Sequence, residues 1–207
     1  MSEHEHFRQA YSGGRAPWDI GRPQAALIEA DRRGWVRGAV LDAGCGTGEH
    51  ALYFAAAGHD VVGVDLVPTA IERAATNAAA RDLPHAPRFV VADILRQPET
   101  LVDAGFETVV DMGFFHTLSD DERELWRGIL AEALQTGGRY VMVCFSDLVP
   151  GTAGPRRVTE AEIRVTFAPQ HGFRVLDLVR TGIESFREGA VTTIPGWLAD
   201  IERMEQP

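Results

Sequence analysis

Two kinds of hydrophobic pattern alternate along the chain. Short apolar runs bounded by glycine or acidic residues predict buried strands at residues 39–43 (AVLDA), 60–65 (DVVGVD), 88–92 (RFVVA), 106–112 (FETVVDM) and 138–145 (GRYVMVCF). Between them lie stretches with helical spacing. One spans about residues 50–57 and is stopped by Gly58. A second spans 68–81, with Pro68 in its first turn and Leu83-Pro84 beyond its end. A third opens at the capping box Ser119-Asp120-Asp121-Glu122 and runs to about Leu134. A short fourth opens at Thr159-Glu160-Ala161-Glu162. Residues 173–180 and about 192–204 read as two closing strands with no helix between them, hence an antiparallel hairpin at the sheet edge. Strands that alternate with helices predict an α/β fold with a mostly parallel sheet covered on both faces. The loosest segments, residues 12–17 (SGGRAP) and 150–155 (PGTAGP), are expected at the carboxyl edge of that sheet, where open α/β folds bind ligands.

Length and charge narrow the class. The 207 residues suit one domain, and 30 acidic against 20 basic side chains give a formal net charge of −10. That balance argues against sequence-independent nucleic-acid binding and against an anionic membrane surface, both of which need a basic face. Every basic residue is arginine, so Schiff-base, P-loop and general-base lysines are excluded. The arginine-only usage itself reads as a codon bias. Cys45 and Cys144 do not make a disulfide framework. The start MSEHEHFRQA has no signal pattern, and no apolar run is long enough to span a bilayer. A cytoplasmic location is expected. His4, His6 and His50 sit in no cluster with metal-ligand spacing, so no metal is expected.

The most informative segment joins the first strand to the first predicted helix. Asp42 ends the strand, and Gly44, Gly46 and Gly48 follow at alternate positions, framing Cys45 and Thr47. Glycines here permit a sharp turn and close approach of a ligand to the main chain, with helix N-terminal amides aimed at it. A dinucleotide fold would place its third glycine at position 49, which is Glu49. A negative side chain at that turn is a poor neighbour for a pyrophosphate and no obstacle to a ligand carrying a sulfonium and an ammonium. Cys45 reads as a small filler, since nothing basic is placed to activate it.

The run Asp42-Ala43-Gly44-Cys45-Gly46-Thr47-Gly48 after an apolar strand resembles motif I of the class I S-adenosylmethionine-dependent methyltransferases. The resemblance continues in register over about residues 36–146. It implies that Asp65, with Leu66 beside it, grips the ribose hydroxyls, that Asp93 and Ile94 bracket the adenine, and that Asp111 and Met112 lie beside the methionine moiety. Residues 16–24 (APWDIGRPQ) resemble the P-W-x-I-G-x-P-Q signature of thiopurine-, halide- and thiol-methyltransferase-like proteins. They are also similar to small actinobacterial enzymes that methylate hydroxyquinolones and quinone-type aromatics. Residues 110–117 (VDMGFFHT) and 158–164 (VTEAEIR) are similar to the same group. The implied fold is Rossmann-like, seven-stranded and mostly parallel, with one antiparallel edge strand. An arm over residues 1–24 would close over the site with Trp18 near the sulfonium, and residues 147–207 would form the substrate side.

Methyl transfer from a sulfonium needs no covalent intermediate. Positioning can supply roughly 7–11 kcal/mol, and acid–base help typically adds about 10²–10⁴-fold. Asp42 either caps the turn or meets the cofactor's ammonium. His116 is the candidate general base, or else a histidine that caps or packs at the start of the next helix. Tyr11, Trp18, Phe114, Phe115 and Phe145 are candidates to line an aromatic acceptor pocket, with ordinary core as the alternative, above all for Phe115 and Phe145. Arg156 and Arg157 could meet an anionic substrate or be a solvated pair. The expected reaction is methylation of an aromatic hydroxyl oxygen on a small molecule, with a thiol as the alternative acceptor, by a monomer or homodimer. An NAD(P)-binding oxidoreductase would need a glycine at position 49 and a Tyr-x-x-x-Lys element, and the chain has neither. A non-catalytic cofactor-binding protein would keep Asp42, Gly44 and Asp65 without an acceptor pocket.

Overall fold

The computed structural model describes residues 3–12, 16–101, 105–152, 154–187 and 189–205. Gly13, Gly14, Arg15 and Ala153 of the two loose segments, and the side chains of His4 and His6, lie outside the described residues. The apolar runs form strands because a segment buried on both faces has no polar side to turn outward. β1 (Ala39–Ala43), β2 (Asp60–Asp65), β3 (Arg88–Val91), β4 (Phe106–Met112) and β5 (Leu134–Phe145) pair in parallel. β6 (Phe173–Arg187) and β7 (Ala190–Arg203) make the hairpin expected from the missing helix; β6 runs seven residues past its expected end, and β7 lies within two residues of its expected bounds. The sheet order is β3-β2-β1-β4-β5-β7-β6. β7 is antiparallel to both neighbours, so the antiparallel strand lies one place in from the edge and β6 is outermost.

Successive residues of a strand point to opposite faces. Val40, Val61, Val110, Val141 and Val143 pack on one side with Ala26, Leu27 and Ala30 of α2 (Ala25–Arg32) and Ala51, Phe54 and Ala55 of α3 (Glu49–Ala56). Leu41, Val109, Tyr140, Met142 and Cys144 pack on the other with Trp126, Ile129 and Leu130 of α5 (Asp120–Ala133) and Ile163 of α6 (Glu160–Thr166). Both predicted capping boxes close reciprocally, Ser119 with Glu122 and Thr159 with Glu162. The N-terminal region holds α2 and a further helix, α1 (Glu3–Ser12), neither of which the hydrophobic pattern announces. α1 packs against α4 (Pro68–Ala79). Among the described residues no helix is long and apolar enough to cross a membrane.

Candidate active site

Strand order reverses at β1, which has β2 on one side and β4 on the other. Loops leaving the carboxyl edge there diverge and open a crevice. Two loops flank it, the glycine turn after β1 and residues 113–117 after β4. They meet across the gap: a Cβ placed on Gly44 would lie 3.6 Å from Phe114 Cβ.

The turn needs its glycines. Their φ angles are +70° at Gly44, +55° at Gly46 and +84° at Gly48, a region that side chains rarely tolerate. Gly44 N and Cys45 N donate to the Val64 carbonyl at 2.9 and 3.0 Å, pinning the turn to β2. Cys45 fills space against Gly63, whose Cβ would lie 2.9 Å from Sγ. Burial pushes its thiol well above the usual range, as befits a filler. Thr47 is buried, and its carbonyl accepts from Asn77 Nδ2 at 3.0 Å. An open cleft of about 500 Å³ borders the outer side of the turn, between Asp19 of the arm, Thr47, Arg73 and Asn77.

The strand-end aspartates hold backbone amides. Buried Asp42 accepts from Ala51 N in the first turn of α3 at 3.1 Å, so it caps the turn as the sequence allowed. Burial, reinforced by Asp65 and Asp111, raises its carboxyl to about 7. Asp65 accepts from Gly46 N through Oδ2 at 2.9 Å and from Val67 N through Oδ1 at 2.8 Å. Each of its oxygens keeps a further lone pair, and Leu66 beside it is half-buried. Asp93 accepts from Leu95 N at 3.2 Å, next to buried Ile94. Asp111 is fully buried and accepts three bonds, from Phe114 N (2.6 Å), Phe115 N (2.9 Å) and Tyr140 Oη (2.6 Å). Trp126 Nε1 in turn donates to Tyr140 Oη at 3.1 Å. Asp111 therefore shapes the segment after β4, and burial raises it to about 6. Met112 is half-buried against the core.

That segment forms a single 3₁₀ turn over Phe115–Thr117. Its tight winding sends neighbouring side chains in different directions. Phe114 stays half-buried and meets Trp126 edge-on, with ring centroids 5.1 Å apart. Phe115 goes inward, against Phe167 and under the Arg123 guanidinium, 4.4 Å from its ring. Phe115 is thus a core residue and not a pocket wall. Phe145, at the end of β5, is half-buried and meets the His116 ring at a tilt of 41°, centroids 4.3 Å apart.

His116 is 6% exposed, and its Nδ1 accepts from Phe145 N at 2.9 Å. A backbone N–H can only donate, so Nδ1 carries no proton. Burial, and secondarily the charge of Arg123, pushes the imidazole down to about 3. The ring is neutral and its proton sits on Nε2. Neither nitrogen offers a free lone pair, so the expected general base is, in this arrangement, a packed histidine with one donor. Arg156 and Arg157 are also engaged. Arg156 pairs with Asp120 and Glu162. Arg157 donates to the carbonyls of Val149 (3.4 Å), Pro150 (3.0 Å) and Pro155 (2.9 Å), stapling the loop after β5.

The N-terminal arm closes over the glycine turn. Tyr11 is buried; its Oη would lie 2.6 Å from a Cβ on Gly46, and it accepts from Trp18 Nε1 at 3.0 Å. Arg73 of α4 donates to the Tyr11 carbonyl at 2.8 Å. The rest of the arm docks on β6. Phe186 N and Ser185 Oγ both donate to the Pro17 carbonyl, at 2.7 and 3.1 Å. The Gln24 amide clamps the Glu184 main chain, giving Nε2 to its carbonyl at 2.8 Å and taking its N–H on Oε1 at 2.9 Å. Gln24 N donates to His50 Nε2 at 3.2 Å, tying the arm to α3. Burial lowers His50 to about 4. Arg22 pairs with the Glu184 carboxylate through two bonds, at 2.9 and 2.6 Å.

Known proteins resemble this chain in sequence and fold. A family model described as a methyltransferase domain matches residues 40–138. A methyltransferase of Mycobacteroides abscessus, named for 2-heptyl-1-hydroxyquinolin-4(1H)-one, is 38% identical over 167 residues, 76% of this chain and 72% of the relative. The chain belongs to the S-adenosylmethionine-dependent methyltransferases. A probable thiol methyltransferase of Arabidopsis thaliana is 27% identical to this methyltransferase over 184 residues, 86% of the chain and 79% of the relative. A solved structure described by the conversion of a disulfide bond into a thioacetal group during echinomycin biosynthesis is 31% identical. It has a TM-score of 0.87 and covers 98% of this chain and 93% of its own.

S-adenosylmethionine is the cofactor of this small-molecule methyltransferase, and the residues fit it. The turn presents backbone without side chains, and exposed Gly44 faces the crevice. Asp65 beside it has lone pairs left for a vicinal diol. Among the described residues no His/Cys/Asp/Glu cluster could hold a metal. The structure brings Tyr11, Trp18, Gly46 and Asp65 to one place and Phe114, His116 and Phe145 to another. Three contributors escaped sequence reading. Gln24 was legible only as the end of a signature, Tyr140 as a lone polar group in an apolar strand, and Glu184 not at all.

Proposed function

We propose that this methyltransferase moves the methyl group to the oxygen of an aromatic hydroxyl, of the phenol, hydroxyquinone or hydroxyquinolone type. The observation that supports it is the 38% identity, over 76% of the chain, to the relative named for a hydroxyquinolone. Half-buried Phe114 and Phe145, with partly exposed Trp18 on the arm, give an aromatic ring apolar faces to lie on. In this reading Asp65 and Leu66 hold the ribose, Asp93 and Ile94 the adenine, and Gly44, Gly46 and Gly48 with Asp111 and Met112 surround the methionine moiety. Tyr11 and Trp18 close the arm over both ligands. When bound, the cofactor supplies a methyl group already activated on sulfur. The protein orients the acceptor and excludes water, worth roughly 7–11 kcal/mol when complete.

A second reading, methylation of a thiol, is favoured by the thiol methyltransferase among the relatives. One assay separates the two: S-adenosylhomocysteine release and product mass from a panel of shape-matched aromatic hydroxyls and thiols. The first reading expects the hydroxyls to have the higher kcat/KM. Thiols ahead by about tenfold would establish the second. No release from any acceptor, with S-adenosylhomocysteine still binding by calorimetry, would reject both.

A further inference from the structure

The strand order β3-β2-β1-β4-β5-β7-β6 fixes what lies beneath the arm. One end of the arm sits on the turn after β1, where Tyr11 meets Gly46. The other is fixed to β6, where Pro17 and Gln24 bond to residues 184–186. A segment held at β1 and at β6 crosses the strands between them, so it passes over the carboxyl ends of β4 and β5. Those ends present apolar side chains on one side of the sheet. Met112 ends β4 and Phe145 ends β5, and both pack on the cluster formed with α2 and α3.

The β6–β7 hairpin carries that apolar row past the end of β5. Ser146 N donates to the Pro195 carbonyl at 3.1 Å, but proline has no N–H to give back, and pairing with β5 goes no further. β6 and β7 stay paired over six more positions, from Gly182 opposite Pro195 to Arg187 opposite Ala190. At about 3.3 Å per residue, roughly 20 Å of ribbon stands beyond the sheet. Residues opposite each other in a ladder share a face, as do alternate residues of a strand. Ile183 lies opposite Ile194, and Gly196 opposite Phe145, so all four share the face that bears Met112. Gly196 has no side chain to separate them. Ile183 leans into that space, since a Cβ on Gly196 would lie 2.9 Å from both its Cγ1 and its Cδ1. Ile183 is buried there, whereas Met112, Phe145 and Ile194 are half-buried, packed against the core on one side and partly uncovered on the other.

We propose that the β6–β7 hairpin is the wall that sets acceptor width in this methyltransferase, with Ile194, backed by Ile183, meeting the edge of the acceptor's ring next to Phe145. One methylene more or less in an apolar pocket changes discrimination by about 10- to 200-fold, so the size of residue 194 decides which rings fit. The arm steadies this wall, because Gln24 and Pro17 hold the outer edge of the same ribbon. Closure and selection thus share one element. The inference rests on the small aromatic or thiol acceptor proposed above.

The test is kcat/KM, read as S-adenosylhomocysteine release by the full chain, for one-, two- and three-ring acceptors that carry the same reacting group, hydroxyl or thiol, whichever is turned over. Ile194→Ala should favour the widest acceptor over the narrowest by about tenfold or more relative to wild type, mainly through KM. Ile194→Phe should move the ranking the other way by a similar factor. Val191→Ala is the control. Val191 is exposed on the same ribbon, and an odd spacing from Ile194 puts it on the opposite face, so it should leave the wild-type ranking in place. Calorimetry should find S-adenosylhomocysteine bound to all three variants as to wild type. A ranking unmoved by both Ile194 variants, or moved equally by Val191→Ala, would overturn the inference. So would a uniform loss over all acceptors with weaker S-adenosylhomocysteine binding, which would make Ile194 a support of the arm alone. If Ile194→Phe does not fold, Ile194→Ala decides by itself. Turnover of no acceptor, with the cofactor still bound, would reject the small acceptor and the wall together; turnover with an unmoved ranking rejects the wall only.

Discussion

Gln24→Ala tests whether the arm is held by its amide clamp. Gln24 is 1% exposed, and both ends of its amide bond to the Glu184 main chain, at 2.8 and 2.9 Å. Truncation removes both bonds and leaves a strand N–H and C=O facing a gap. A buried hydrogen bond is worth about 1 kcal/mol net, and an orphaned partner costs about 1–3 kcal/mol. Two such bonds place the loss at about 2–4 kcal/mol of arm docking. Since about 1.4 kcal/mol is tenfold, S-adenosylhomocysteine should bind at least about tenfold more weakly. Arg22→Ala is the control. It removes a pair whose arginine is 51% exposed, and such pairs are worth about 0–1 kcal/mol. Calorimetric titration, with limited proteolysis of the arm in parallel, reads both variants. Wild-type affinity and protease resistance in Gln24→Ala would refute the clamp. So would an equal loss in Arg22→Ala, which would assign the docking to the charge pair.

Three further variants probe the turn and the buried polar groups. Gly46→Ala puts a Cβ 2.6 Å from Tyr11 Oη at a φ of +55°, so cofactor affinity should fall by about tenfold or more. Adding Tyr11→Phe should recover part of it, because the left-handed strain of about 1–2 kcal/mol persists; normal binding by Gly46→Ala alone would contradict the turn geometry. Tyr140→Phe strips a donor from Asp111 and an acceptor from Trp126, for an expected loss of about 2–4 kcal/mol in denaturant unfolding with an unchanged m-value. The pH dependence of stability has two opposed parts. Asp42 and Asp111 hold protons more tightly when folded, so the stability they give is present at low pH and lost as pH rises through about 7 and about 6. His50 and His116 hold them less tightly, down to about 4 and about 3, so their contribution is lost as pH falls below the ordinary histidine range. Asp42→Asn keeps an oxygen for Ala51 N, and its stability relative to wild type should rise between about pH 5 and pH 8 by the order of a few kcal/mol, seen as a widening Tm gap. Parallel Tm profiles would show that Asp42 titrates normally.

The central sheet was legible because its strands are apolar in their centres and stop at or beside glycine or aspartate. β1, β2 and β4 begin and end where the pattern places them. Both capping boxes were local signals and both formed. The far half of β6 was under-read because residues 181–186 mix glycine, threonine, glutamate and serine on a partly solvated ribbon, where periodicity fades. α1 and α2 were missed for want of an apolar stripe long enough to show. At the site, the family resemblance singled out Asp42, Asp65, Asp93 and Asp111, but no local pattern tells what each carboxylate touches. The His116 bond to Phe145 and the Asp111 bond to Tyr140 cross from the β4 segment to β5. They depend on the parallel register that sets Asp111 against Met142, which no local pattern encodes.

β6 is fifteen residues long and outermost in the sheet. An open strand of that length is a template for any other extended chain. Its far end is not open, however. Groups at alternate residues, Glu184 and Phe186, point away from β7, and the arm meets them with the Gln24 amide and the Pro17 carbonyl. Closer to the sheet the strand carries Arg174, Asp177 and Arg180, charges that discourage a second strand. The arm thus guards against self-association as well as covering the turn. A chain shortened to start at residue 25 would lose more than its lid: it would expose a bare strand edge and tend to stack on copies of itself, so its aggregation would reflect an uncovered edge and not a failure of the core to fold.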